Sequence, residues 1–583
     1  MAKGLGLQNY PKLSQVTEGL DDYLRRTHHT FFGASATHPV LRLKRQKVVH
    51  DNLWGTNKFT WVEWLLIDSP IMQRLKDIHQ VGLAFEVYPC AHHQRFEHSL
   101  GVVTLASRTL DACIAHNAGD LQTFLPKIYD AATYEDCIKR LRQELRLAAL
   151  LHDTGHSLFS HASEKIYSKL PLLEEASSEL TEIAGKEKGA GEVISFCLAQ
   201  TKSVRELVDR GRAKLIGTPA ADEYDGEIDI DHVSLLIVGR AWHPYLQFLG
   251  DIISSAFDAD KLDYLLRDAT GAGLPLRYDL DRYLHAVHLK RSEMVDGEEQ
   301  LKKLYEAIAP GKAQRFPAAG NLAYDYYEAY RLRLPRSALN AIEQIVICKM
   351  MLFSYLYHHT KVRAIEGLFE RMLARAQGNW EKEKDSTGLT VLCRYLDLTD
   401  ASLRAEFFLG ASDAVVKEYA YRLVNRLVPR EVMRINSSIA SHADRAPVND
   451  LLADLQNRAK RDELIAKIET AMGKALVKRN KATFGPTPQD ALEKAGAWLD
   501  VPKAPKFADI DEVASGAEDE TLELKHIFPV DKWTQAYTAY SYNVRVFAFS
   551  EYVDDVKHAG RVALEEVTRV RSPEFYSRIS RVR

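Results

Sequence analysis

The sequence predicts a mainly α-helical protein, and three observations predict it. Residues 147–151, LAALL, are apolar all round and run straight into His152 and Asp153, as a buried helical turn would. Apolar residues recur at helical spacing over long stretches, first Ile71, Leu75 and Ile78, then Leu100, Val103 and Leu110. Runs of β-branched and aromatic residues are short and concentrated at 46–66 and 526–552. They add small β-hairpins and a mixed α+β C-terminal region to a helical core.

A chain of 583 residues holds two to four domains, or one large helical core with additions. The pattern divides into a polar lead-in at 1–45, a core at 46–400 and a helical or mixed region at 401–583, read as oligomerising or regulatory. The formal net charge is −3, so bulk charge does not indicate a nucleic-acid partner, and any phosphate site must be a local basic cluster. None of the six cysteines forms C-x-x-C, which argues against a zinc ribbon or a disulfide framework and suits a reducing cytosol. The start, MAKGLGLQNYPKLSQ, has no apolar core of a signal peptide, and no window reaches 18 apolar residues, so no membrane span is expected. A cytoplasmic location is expected.

Along the chain, the β-branched runs around Gly55 predict a hairpin. Within it His50 and Asp51 form a His-Asp pair that reads as turn chemistry. Pro70 opens a helical pattern carrying Ile71, Leu75 and Ile78. In 88–110, Arg95 and His98 are three apart and share a helical face. The buried turn at 147–151 leads into His152 and Asp153, and Gly155 is expected to end that helix. The charged, Gly-rich stretch 174–193 reads as a surface excursion, 204–217 as helix and 221–232 as a solvated acidic loop. In 253–273, Asp260, Tyr264 and Asp268 are spaced by four and stack on one face, while Asp263 and Arg267 are spaced to pair. Residues 286–334 are charged and mixed. Residues 339–376 form one or two helices, with His358, His359, Lys361 and Arg363 as a basic, aromatic-rich segment. Beyond 400, the 451–479 stretch is amphipathic, and 483–490 and 500–507 are Pro-punctuated turns. No internal repeat is present.

A His-Asp pair alone means little, since about one is expected by chance in such a chain. Here His152 and Asp153 have company in His98 and Asp260. Two imidazoles and two carboxylates make a mixed N/O set for one divalent ion with open positions, suited to Fe, Mn, Zn or Co and excluding a thiolate site. Such an ion polarises a phosphoryl oxygen and lowers the pKa of water. His156 and His161 are candidates for acid/base work or phosphate binding. Arg95, Lys261 and Lys361 are candidates to neutralise a polyphosphate, and His358 to contact substrate.

The ordered motifs RFEHSLGV, LLHDTGHSLFSH and DADKLDYLLRD resemble the HD superfamily of phosphohydrolases, and within it the deoxynucleoside triphosphate triphosphohydrolases. The stretch IDSPIMQRLKDIHQVG is similar to them too, and the resemblance covers residues 46 to 380. It implies an HD-domain helical bundle with His98, His152, Asp153 and Asp260 on the metal, which widens the candidate ions to Mg. It implies triphosphate contacts from Arg95, His161, Lys261 and Tyr264, and sugar contacts from Gln80 and Asp268, with Val81 beside them. His156 becomes the catalytic histidine, working near Glu164. The implied reaction is dNTP plus water to deoxynucleoside and triphosphate, with attack at the α-phosphorus and a second Mg²⁺ bridging the phosphates. A nucleotide activator site is implied at Lys47, Val48, Asp68, Gln73 and Lys76, and a homo-oligomer by analogy.

One departure stands out. Relatives carry a His-Glu pair after the second motif, whose His assists the leaving group. Here Lys186 and Glu187 fall there, within AGKEKGAGEV. Lys186 is an acid near neutral pH only if burial lowers its pKa, and a Gly-rich charged segment does not suggest burial. The alternatives are an HD phosphodiesterase or nuclease acting on another phosphate ester, and a nucleotide-sensing protein that keeps the metal cage.

Overall fold

The N-terminal segment is not a loose lead-in. In the computed structural model, Pro11–Thr27 is a helix that buries Leu13, Val16, Leu20, Tyr23 and Leu24. Its start is fixed by Glu179, whose carboxylate accepts from the backbone N–H of Lys12 and Leu13 at 2.9 to 3.1 Å. The structure describes residues 7–32, 47–129, 133–215, 228–293, 328–440, 444–502, 514–515, 521–522, 532–533 and 543–571.

The predicted hairpin forms from strands Lys47–Asp51 and Gly55–Phe59, with Asp51 opposite Gly55. Gly55 has φ 72°, which its missing Cβ permits. Asp51 closes the turn by accepting from Leu53 and Trp54 N–H at 2.7 and 3.0 Å, the turn chemistry expected of the His50-Asp51 pair. Thr60 and Glu63 then form a capping box that starts the helix Trp61–Ile67. Pro70 opens only one α turn, Pro70–Gln73, which tightens to a 3-10 turn at Arg74–Asp77. Ile71, Leu75 and Ile78 are nonetheless all buried.

Two long helices build the central layer. Arg95–Tyr129 and Tyr134–Leu151 pack against each other, and the leucine-rich end of the second is fully buried, as expected. That helix stops at Leu151, four residues before Gly155. Gly155 instead permits a close approach, since a Cβ there would lie 2.1 Å from the Gly191 carbonyl oxygen.

The 174–193 stretch is no surface excursion either. Pro171–Ala184 buries Leu173, Ala176, Leu180 and Ile183, and stops at Gly185 in the left-handed conformation. Ala190–Gln200 follows as an almost wholly buried helix. Lys202–Leu215 is helical as expected, and 216–217 lie outside the described residues. Of the acidic 221–232 stretch, 221–227 also lie outside them, and Asp229 caps the helix Ile230–Ile237. Ala259–Gly271 packs on the Arg95–Tyr129 helix. The mixed stretch 286–334 holds antiparallel strands His288–Glu293 and Glu328–Pro335, with 294–327 outside the described residues.

The 339–376 region forms two helices, Leu339–Leu352 and Thr360–Trp380, joined through a π turn at Phe353–Tyr357. Leu339–Tyr357 is long and apolar enough to cross a membrane by length and composition, with mean hydropathy 1.3. Glu343 and Lys349 interrupt it, so no uninterrupted apolar run marked it in the sequence. Ala341, Ile342, Ile345, Val346 and Leu352 are buried in the main core.

That core runs from Tyr10 to Leu423 and takes in Trp498, Phe547 and Phe549. A second apolar cluster spans Met433 to Val570. It joins a three-stranded antiparallel sheet, Arg430–Ile435, Val544–Ala548 and Trp498–Asp500, to the helices Arg445–Gln456, Arg458–Arg479 and Val553–Thr568. The molecule is thus mainly helical with small sheets.

Candidate metal centre and active site

Three helix ends bring the expected ligands together. His98 lies in the first turn of Arg95–Tyr129 and is fully buried. His152 is the C-cap of Tyr134–Leu151, and Asp153 follows it. Asp258 caps Ala259–Gly271 through the Lys261 N–H, which sets Asp260 in the first turn. His98 Nε2 is 3.1 Å from Asp260 Oδ1 and 3.6 Å from Asp153 Oδ2. His152 Nε2 is 3.6 Å from Asp153 Oδ1 and 3.9 Å from Asp260 Oδ1.

Both Nε2 atoms are buried and lack a hydrogen bond of acceptable geometry. Their Nδ1 atoms are committed elsewhere: His98 Nδ1 to Asp263 Oδ2 at 2.8 Å, His152 Nδ1 to the Ala149 carbonyl at 2.7 Å. Buried, unpaired ring nitrogens facing carboxylates are what a cation resolves. The residues present therefore fit one divalent ion, with imidazole and carboxylate donors and no thiolate. Asp260, with a third of its side chain exposed, is on the open side.

The electrostatics agree. Burial opposes ionisation of Asp153, but Arg95, then His152 and His156, hold it well below the usual carboxylate range. Asp260 is pulled down to about 2 against its burial, chiefly by His98. Without an ion, Asp260 and Asp263 outweigh the burial of His98 and push it up to about 10.

Behind the ligands stands a chain of buried charge that sequence reading reached only through the Asp263–Arg267 spacing. Arg267 donates to Asp263 at 2.7 and 2.9 Å and to Asp51 at 2.9 Å, and Trp54 Nε1 donates to Asp263 Oδ1 at 2.5 Å. The hairpin thereby braces His98. Arg95 donates to Asp153 at 2.5 Å and to Ser160 Oγ at 2.7 Å. Arg74 donates to the carbonyls of Thr154 and His156 at 2.9 and 2.6 Å, holding the turn after Asp153. Nothing local marked Arg74, whose partners are some 80 positions away.

His156 Nε2 lies 3.3 Å from Asp153 Oδ1, and burial followed by the Arg95 charge lowers its pKa. Phe159 and Ser160 both have positive φ, which turns the chain sharply into the His161–Tyr167 helix. His161 is exposed, and its Nδ1 is 2.8 Å from Glu164 Oε2. Glu164 also accepts from Gly191 N–H at 2.9 Å. It is held low against its burial by His161 and His156. Gly189 and Gly191 let this backbone approach: a Cβ on them would meet Glu164 Oε1 and His156 Cε1, each at 2.8 Å.

Three ammonium groups gather at the loop before Asp260. Lys186 Nζ donates to Ser254 O at 3.3 Å, Lys188 Nζ to Ser254 Oγ at 3.1 Å and Glu192 at 3.0 Å, and Lys261 Nζ to Asp258 at 2.6 Å. Lys186 is exposed, and partial desolvation with the charges of Lys188 and Lys261 lowers its pKa to about 8. As its Gly-rich, charged surroundings suggest, Lys186 is exposed, and the buried lysine of the stretch is Lys188.

Tyr264 stands one turn after Asp260, its hydroxyl pKa raised well above normal by burial. Asp268 bonds His93 Nε2 at 2.8 Å and accepts from the Tyr357 hydroxyl. Gln80 Oε1 is buried without a partner, and Val81 belongs to the core. His358 stacks edge-on to Phe353, with Arg363, Arg545 and Asp500 around it, so Tyr357 rather than His358 meets the expected sugar residue. Lys361 lines a cleft with Arg422, Arg426 and Arg430 that includes none of the HD residues. On the hairpin side, Lys47 pairs with Asp68 at 3.5 Å, Lys76 with Gln73 at 2.7 Å, and Val48 is exposed.

Residues 95–231 match the HD domain family model. A deoxynucleoside triphosphate triphosphohydrolase SAMHD1 homolog of Dictyostelium discoideum is 28% identical over 266 residues, 45% of this chain and 44% of that one. The deoxynucleoside triphosphate triphosphohydrolase SAMHD1 of Homo sapiens is 28% identical over 263 residues, 42% of this chain and 36% of that one. The matched stretch thus spans less than half the length of these relatives. The crystal structure of a hypothetical protein from Aquifex aeolicus superposes with TM-score 0.52 at 17% identity, covering 88% of this chain and 99% of that one, a likeness of fold. With His98, His152, Asp153 and Asp260 converging as described, the chain matches the HD domain model over residues 95–231 and resembles the HD-superfamily phosphohydrolases.

Proposed function

We propose that the protein hydrolyses deoxynucleoside triphosphates to deoxynucleoside and triphosphate, with water attacking the α-phosphorus. The observation that carries this reading is the buried, unpaired Nε2 of His98 and of His152 facing Asp153 and Asp260, beside a basic rim. A divalent ion (Fe, Mn, Zn, Co or Mg) held by these four would supply Lewis-acid polarisation of the phosphoryl group. Arg95 holds Asp153 ionised and keeps its position. Lys261 and Tyr264, with Lys186 and His161 at the rim, bind the triphosphate, with a second Mg²⁺ accompanying it. Gln80 and Asp268 read the sugar, and Tyr357 orients Asp268. His156, held near Glu164, moves the proton at the leaving group.

The same reading places the protein in the cytoplasm as a homo-oligomer. Its nucleotide activator would bind the Lys47, Val48, Asp68, Gln73 and Lys76 surface. A second reading, hydrolysis of another phosphate ester, is favoured by Lys186-Glu187 standing where the family resemblance implies His-Glu. Purified protein with Mn²⁺ or Mg²⁺ and each dNTP, followed by product identification, separates them. Triphosphate with deoxynucleoside supports the first reading, whereas only orthophosphate or pyrophosphate across all dNTPs rejects it.

A further inference from the structure

We propose that His156, His161 and Glu164 form a second divalent-metal site, next to the HD centre and separate from it. Their donor atoms lie within 4.8 Å of one another. His161 Nδ1 is 2.8 Å and His156 Nδ1 is 4.0 Å from Glu164 Oε2, and the two rings stand edge to face at 4.9 Å.

The hydrogen bonds around these groups leave one donor set incomplete. His156 Nδ1 is buried, belongs to a side chain only 7% exposed, and has no hydrogen-bond partner. The ring cannot turn to escape: Nε2 is already engaged toward Asp153, and Gly191 packs against its face. Glu164 Oε1 is occupied by Gly191 N–H, which leaves Oε2 directed at both imidazoles. A buried ring nitrogen aimed at an ionised carboxylate, with a second imidazole beside it, is a donor set wanting a cation. Two imidazoles and one carboxylate suit Zn, Mn, Fe or Co, and the exposed side of His161 leaves positions open to water or a phosphate oxygen.

Two ions would share one support. His156 reaches toward Asp153 of the HD centre through Nε2 and offers Nδ1 to the second ion. His161 would exchange its hydrogen bond to Glu164 for a metal bond, its proton shifting to the solvent-facing Nε2. Two-ion clamps on phosphate esters use this kind of juxtaposition. This second site goes beyond the triphosphohydrolase reading and, when filled, takes the His156 nitrogen that the proton role there needs; counting metal requires no substrate, so the two readings are tested separately.

The deciding experiment is metal stoichiometry of the full chain, stripped with chelator and titrated with Mn²⁺ or Zn²⁺, then counted after gel filtration. Two equivalents per chain are expected, falling to one in His161→Ala and in Glu164→Gln, with the Co²⁺-substituted absorption of the HD centre retained. His161 is 71% exposed, so its removal leaves the fold intact, which a thermal melt checks. One equivalent in wild type, or a count unchanged in both variants, overturns the site.

Discussion

Asp263 accepts from Nδ1 of His98 at 2.8 Å, on the opposite side of the ring from Asp153 and Asp260. A buried carboxylate thus fixes which nitrogen of His98 is free, and Arg267 and Trp54 fix the carboxylate. Such partners typically control metal affinity by about 10- to 100-fold. Asp263→Asn should weaken binding of the HD-centre ion by about that factor, read by chelator competition. Wild-type affinity in a folded variant would show that Asp263 serves packing alone.

Gly191→Ala places a methyl 2.8 Å from His156 Cε1. The HD-centre ligands are untouched, so that ion should stay while His156 is displaced. A misplacement near 1 Å costs up to about 10²-fold in rate. We expect kcat to fall at least tenfold with HD-centre occupancy unchanged, and an unchanged kcat would remove His156 from the chemistry.

Lys186 gives a pH signature. Its pKa is lowered to about 8, so it is charged below that value and neutral above it. If its charge holds the triphosphate, KM rises as pH climbs through about 8. Lys186→Met should raise KM at neutral pH and flatten that rise. A wild-type profile in the variant would exclude Lys186 from binding.

Stability at low pH has a source far from the site. Asp413 caps the Ala414–Val424 helix and accepts from Arg375 at 3.0 Å and Asn379 at 3.1 Å. Against its desolvation, these bonds hold it down at about 2. A lowered carboxylate pKa stabilises the fold above the unfolded value near 4, and that contribution is lost as pH falls toward 2. Asp413→Ala should cost about 1 kcal/mol at neutral pH, the usual worth of such a cap, and less at pH 2. Equal melting shifts at both pH values would contradict this.

The convergence of His98, His152, Asp153 and Asp260 was legible because each sits in a short motif whose spacing sets its own helix end. The Asp263–Arg267 pair was legible for the same reason. What the sequence hid is held by distant contacts. Trp54 reaches Asp263 across 209 positions, and Arg74 reaches His156 across 82. The 174–193 stretch looked like surface because its glycines and charges suggest solvent. Gly189 and Gly191 are instead close-approach points against Glu164 and His156, which only a folded partner defines. The docked N-terminal helix was missed in a similar way. Its apolar residues are spaced among polar ones, and Glu179 anchors it from 166 positions on.

The central claim is that side chains from three helix ends share one cation, and the metal content of His98→Ala and Asp260→Ala tests it most directly. Each variant, purified folded and counted beside wild type, should carry one equivalent fewer. Wild-type content in both would contradict the account.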